Sequence, residues 1–133
     1  MALQYSVAVN NARLDAIETT IGATAILRIR TGAQPATCAT ADAGTVLATL
    51  TLPADWMSAA AAGAKAKLGT WQDTSADATG TAAHFRIYDS AGTTCGMQGS
   101  YGTAATDMIG DSVSFTAGQS FTINSFTLTA ANT

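Results

Sequence analysis

The chemistry open to this chain rests on a short set of side chains: one histidine, His84, two cysteines, Cys38 and Cys95, nine carboxylates and six basic residues among 133. His84 is the one side chain here whose unperturbed pKa lies near neutrality, and a hydrolytic triad built on it needs a nucleophile on a strained elbow and an orienting acid. No G-x-S-x-G occurs, so His84 reads as an outward-facing strand residue beside Arg86 and Tyr88. Asp73, Ser75 and Asp77 place oxygens at alternate positions in the manner of a calcium loop. In an EF-hand register, however, Ala78 stands where a glycine is required and His84 where a bidentate glutamate is required. The stretch is therefore expected to be a polar loop whose side chains bond nearby amides. Glu18 and eight aspartates offer no carboxylate pair set for glycoside hydrolysis. The glycines between Gly92 and Gly102 lack the G-x-x-x-x-G-K-[ST] order of a phosphate cradle.

Neither cysteine lies in a C-x-x-C motif, which argues against zinc or a redox dithiol of that type. The N-terminus has no basic stretch followed by an apolar one, so the chain is expected to stay in the reducing cytosol that made it. Two free thiols packed as small apolar groups are then expected, the alternative being a disulfide if the fold brings their Cα atoms within about 7 Å. No catalytic residue, metal site or cofactor is expected, and the chain reads as something other than an enzyme.

The remaining composition is inert. Ala (29), Thr (22) and Gly (12) make up nearly half of the chain, charged residues only 11%, and the net charge is −3. Nucleic-acid binding is disfavoured, because neutralising phosphates takes clustered Lys and Arg and these are scattered singly. No apolar run of about 18 residues is present to cross a membrane. A surface of Thr, Ser, Ala and Gly suits tight contact with protein, since little charge must be desolvated there.

The spacing predicts one helix near the N-terminus. Ser6 can cap it, Leu14, Ile17 and Ile21 form an apolar stripe, Gly22 can stop it, and Arg13, Asp15 and Glu18 lie on the wet face. The stripe can pack on the chain's own sheet or dock on a neighbouring subunit. From Ala25 the period becomes two. Ala25, Leu27 and Ile29 alternate with Ile26, Arg28 and Arg30, and after a long loop from Gly32 to Gly44 a partner strand runs from Thr45 to Leu52. Ala64, Ala66 and Leu68 alternate with Lys65 and Lys67, which predicts a strand with its lysines in water. Thr81–Tyr88 and Thr93–Ser100 form a hairpin around Asp89–Gly92. In the last strand Phe121 and Ile123 have one parity and Phe126 and Leu128 the other, so a bulge near Asn124–Ser125 is needed. Trp56 and Trp71 bracket an alanine tract and can serve either the core or an interface. The expected fold is mainly β: a β-sandwich or small barrel of about seven or eight antiparallel strands with one N-terminal helix. Residues 1–22 form the arm and helix, and 23–133 the β-sandwich domain.

Three segments carry a resemblance. They are Asn11–Ile17 leading through Ile21-Gly22 into Leu27-Arg-Ile29 and Thr31-Gly32, then Gly44–Leu52, then Asp77–Ala82 running into Phe85-Arg-Ile87 and Asp89. In this order they resemble a family of small tailed-phage virion structural proteins. Arg30 stands where the resemblance leads one to expect tyrosine, and the cysteines and His84 are this chain's own. The resemblance implies a non-enzymatic virion part assembled in the host cytoplasm. The favoured reading is a capsid decoration (cement) protein, a homo-oligomer and by preference a trimer, binding major capsid protein or other virion proteins. The rivals are a tail or head-to-tail connector component and a glycan-binding adhesin module that stacks Trp56, Trp71 or Tyr101 on sugar rings. Leu14, Ile17, Ile21, Trp56, Trp71 and Arg30 are the expected interface residues, with the segment from Leu3 to Ile21 and the Gly32–Gly44 loop as contact regions.

Overall fold

The computed structural model describes residues 3–131, so the first two residues of the predicted arm and the last two of the predicted β-domain lie outside the described residues. Helix α1 spans Val7–Ile21, with the Ser6 hydroxyl accepting from the Val9 amide at 3.2 Å. It ends at Gly22, whose φ of 100° few other residues adopt and whose amide donates to the Glu18 carbonyl. Capping and stop residues are those expected from the sequence.

Among the described residues ten strands follow: β1 (Ile26–Arg30), β2 (Val46–Thr51), β3 (Ala64–Ala66), β4 (Gln72–Asp73), β5 (Gly80–Thr81), β6 (His84–Tyr88), β7 (Cys95–Gly102), β8 (Met108–Gly110), β9 (Ser114–Phe115) and β10 (Phe121–Thr129). Eight belong to one sheet in the order β2-β1-β6-β7-β8-β10-β3, with β4 also on β10, and β5 pairs with β9 apart. The large sheet curls into a half-barrel, consistent with the sandwich or small barrel predicted. The curl is fastened from β4 back to the free edge of β2. There the Asp77 amide donates to the Leu47 carbonyl at 2.7 Å and the Thr49 amide to the Asp73 carboxylate at 3.1 Å. Pairing is antiparallel except between β7 and β8, which run parallel. The short connection between them is clamped by Asp107, whose carboxylate accepts from both the amide and the hydroxyl of Ser100.

The core fills the concave side. Leu27, Ile29, Leu47, Trp56, Ile87 and Met108 are fully enclosed there. A chain of rings runs through it, Trp56 to Trp71 at 6.1 Å, Trp71 to Phe126 at 5.8 Å and Phe126 to Phe85 at 5.5 Å, tilted or edge-on as ring quadrupoles prefer. The change of phase in β10 is resolved where expected: register slips between Ile123 and Ser125, Asn124 and Ser125 both face solvent, and Phe121, Ile123 and Phe126 all reach the core. Two parity expectations are overturned. Lys65 points inward and Ala66 outward, and the supposedly wet helix residues Asp15 and Glu18 meet that lysine.

Candidate functional site

Strand β6 is buried on both sides, while Ile26 and Arg28 of β1 stay half-buried, and this corrects the outward placement expected for His84, Arg86 and Tyr88. All five residues of β6 are buried. One side meets the core; the other is roofed by the loop from Gly32 to Gly44. Pairing sets Arg28 opposite Arg86 and Arg30 opposite His84, so this side concentrates positive charge on adjacent strands. Directly opposed like charges are destabilising unless countered. The loop brings the counter-charge, Asp42.

The Asp42 carboxylate is the hub. One oxygen accepts from Arg86 Nη1 and from the Tyr88 hydroxyl, each at 2.7 Å, and the other from Arg30 Nη2 at 2.9 Å. Arg86 is then used up. Its Nη2 donates to the carbonyls of Thr37 and Thr40 at 2.9 and 3.0 Å, and its Nε to Gln98 at 3.0 Å. Gln98 in turn reaches the Pro35 carbonyl, and His84 Nδ1 donates to the Gly32 carbonyl at 2.8 Å. Burial opposes ionisation of Asp42, yet the bonds from Tyr88 and Arg86 and the charges of Arg30 and Arg86 outweigh it and hold its carboxyl below the usual range. Burial, then the charges of Arg30 and Arg86, push His84 down, so its ring stays neutral. Burial and the bond to Asp42 push the Tyr88 phenol up. All three guanidinium nitrogens of Arg86 have protein acceptors, whereas Arg30 Nε and His84 Nε2 are buried without a partner among the described residues. This constellation holds a loop on a sheet.

Gly44 ends that loop under a constraint. It has a φ of 77°, and a Cβ there would collide with the Thr31 backbone carbonyl. Only glycine fits.

The helix is fixed by the same kind of chemistry. Asp15 accepts from the Ala60 amide at 2.9 Å and from Lys65 Nζ at 2.8 Å, Asn11 accepts from the Gly63 amide, and Glu18 from the Met57 amide. The alanines themselves supply no side-chain acceptors, so Asn11, Asp15 and Glu18 of the helix satisfy the backbone donors of Gly63, Ala60 and Met57. That arrangement turns the polar face of α1 inward. Burial works against the charged Lys65 ammonium, but Asp15 and Glu18 more than compensate and raise its pKa.

An apolar strip, local in sequence but not a single helix face since Val7 and Val9 lie two residues apart, is thereby left in water. Among the described residues the large exposed apolar side chains are Leu3 (67% exposed), Val7 (56%), Val9 (45%), Leu68 (41%) and Tyr5 (37%), and four of these five fall within one short stretch of the arm and first helical turn. Single exposed apolar residues are ordinary, whereas a cluster marks a contact site. Arg13 lies over the Tyr5 ring at 4.8 Å and also lines an open groove of about 580 Å³ between α1 and the β6–β7 hairpin. The groove is walled by Ala16, Ile17 and Ile21 on the helix and by Asp89, Thr94 and Gly96 on the hairpin. Arg13 thus joins the Tyr5 end of the strip to the groove.

Of the six interface residues predicted, Leu14, Trp56, Trp71 and Arg30 are buried within the chain's own fold, and Ile17 and Ile21 are half-buried along the groove. The Trp56 indole donates to the Gly22 carbonyl at 3.0 Å, so it ties helix to core. Trp71 and Tyr101 are likewise enclosed, with the Tyr101 hydroxyl donating to Ser112, which leaves these three rings no face for a sugar. Asp73 and Asp77 bond Thr49 and Ser75, the polar-loop role expected of them. Asp42 was missed; Leu3, Val7 and Val9 lie within the contact segment expected from Leu3 to Ile21 but were not singled out in it. The signal for Asp42 was available: two arginine-bearing strands facing one way, with a single acid in the loop beside them. Among the described residues no three His, Cys, Asp or Glu side chains converge as a metal site would require, and no helix is long and apolar enough to cross a membrane. Comparison with protein-family models, with curated proteins and with solved structures gives no match for this chain.

Proposed function

We propose that this protein is a non-enzymatic bacteriophage virion component, a capsid decoration protein that stabilises the head shell by binding major capsid protein. The observation that carries this reading is the strip of Leu3, Tyr5, Val7 and Val9, held in water beside the α1 groove by a helix whose polar face is already spent on its own chain. Apolar surface of this kind gains free energy only when a partner covers it, at about 25 cal/mol per Å² buried. The partner is protein, because a neutral, hydroxyl-rich surround favours close contact without charge desolvation. Binding is the whole activity: the strip and groove dock on the shell, and the rigid half-barrel behind them spans to a neighbouring subunit. The resemblance of Asn11–Thr31, Gly44–Leu52 and Asp77–Asp89 to small virion structural proteins supplies the identity of the shell. A trimer is the favoured assembly.

Counting copies of this polypeptide in purified virions by quantitative mass spectrometry tests the proposal. Hundreds per particle are expected of a head decoration protein. A small multiple of six or twelve would instead place it at the neck or tail, and its absence from virions would overturn the proposal.

A further inference from the structure

We propose that Cys38 and Cys95 form a thiol pair that an external disulfide can close into a clip, fastening the Gly32–Gly44 loop to β7. Both are free and half-buried, and both line the same small polar pocket of about 290 Å³, with Thr40, Asp42, Arg86 and Tyr88 around them. Their backbones are held from both sides. Arg86 grips the carbonyls of Thr37 and Thr40, which flank Cys38 in the loop. Cys95 lies opposite Tyr88 in the sheet, and Tyr88 bonds the loop through Asp42. Noncovalent bonds therefore hold the two thiols on the wall of one pocket before any bond forms between them, with the Cys95 thiol donating to the Met97 carbonyl at 3.4 Å.

Burial and the neighbouring Cys38 thiol push the Cys95 thiol up to about 12, so Cys95 keeps its proton and acts second. The Cys38 thiolate attacks one sulfur of a low-molecular-weight disulfide such as oxidised glutathione, forming a mixed disulfide and releasing one glutathione thiolate. Cys95 then gives its proton to solvent, attacks the Cys38 sulfur and expels the second glutathione. Two protein thiols are oxidised and one external disulfide is reduced to two thiols, so electrons balance. The new bond crosses a long stretch of sequence and removes freedom chiefly from the unfolded chain.

The test compares the full chain, native and without denaturant, after incubation with oxidised or with reduced glutathione. Oxidation is expected to remove both alkylatable thiols, yield a cross-linked peptide containing Cys38 and Cys95, and raise Tm by on the order of 10 °C. Reductant should reverse all three changes. Cys38→Ser and Cys95→Ser should show no rise in Tm under the same treatment. The comparison of oxidised with reduced wild type needs no substitution, so a poorly folding variant does not blunt it. Thiols that stay alkylatable, separate glutathione adducts on each cysteine, links between two chains, or an internal link that leaves Tm unchanged would each overturn the proposal.

Discussion

The roofed side of β1 and β6 and the outer side of α1 dispose of awkward side chains in opposite ways. Under the loop, the arginines and the histidine are enclosed, and Asp42, Gln98 and four loop carbonyls answer them. Along α1, the arm keeps Leu3, Val7 and Val9 in water and nothing among the described residues covers them. The first region meets most of its own demands, with only Arg30 Nε and His84 Nε2 left without a partner among the described residues; the second does not. A side chain's type therefore decides less than whether its demand is met within the chain, and unmet demand is what points outward to a partner.

The largest expected effects compare neighbours on one strand. Phe85 reaches the core and Arg86 the loop, so Phe85→Ala should cost roughly 3–5 kcal/mol by leaving a cavity. Arg86→Ala should cost about as much, because it strips Asp42 and two loop carbonyls of their donor in a partly enclosed site. The mechanisms separate in a double-mutant cycle measured by urea unfolding. Arg86→Ala should couple to Asp42→Ala by roughly 0.5–3 kcal/mol, whereas Phe85→Ala should be additive with it. Gly44→Ala ranks next, at roughly 1–3 kcal/mol of strain where the roof is hinged, with hydrogen exchange speeding in the loop before the sheet. Lys65→Met should act locally and by less, about 1 kcal/mol, since one of its two partners is well exposed; faster exchange confined to α1 would report it.

The pH dependence sharpens the same contrast. His84 has its pKa lowered in the folded state, first by burial and then by Arg30 and Arg86, so the unfolded chain binds a proton that the folded chain refuses. Its contribution to stability is full above about 6.5 and is lost as pH falls below that value. His84→Gln, which keeps a donor for the Gly32 carbonyl, should flatten Tm between pH 7 and 5. Asp42, also lowered, adds a second loss beginning below 3.8 that this variant should retain.

Sequence periodicity located the helix, its caps, the β6–β7 hairpin and the β10 bulge because each is governed by neighbours a few residues away. Which face of an element turns inward was less legible. Lys65 looked like a water-facing residue and Asp15 and Glu18 like a wet helix face; the buried lysine instead pairs with both carboxylates, a tertiary contact that alternation cannot encode. His84 and Arg86 misled in the same way, since their cover is a loop distant in sequence whose one acid matches their charge. Leu3, Val7 and Val9 fell inside the contact segment expected from Leu3 to Ile21 but were not singled out, because a stripe at Leu14, Ile17 and Ile21 matched helical spacing better, and only the docking of α1 by its polar face shows which side is left over.

The most direct measurement is cosedimentation of the full chain with undecorated head shells, wild type against Val7→Asp/Val9→Asp. If the uncovered strip is the docking surface, the double variant should lose at least tenfold in affinity, about 1.4 kcal/mol, with its Tm unchanged. Undiminished binding by a folded double variant, or no binding by wild type, would contradict the account.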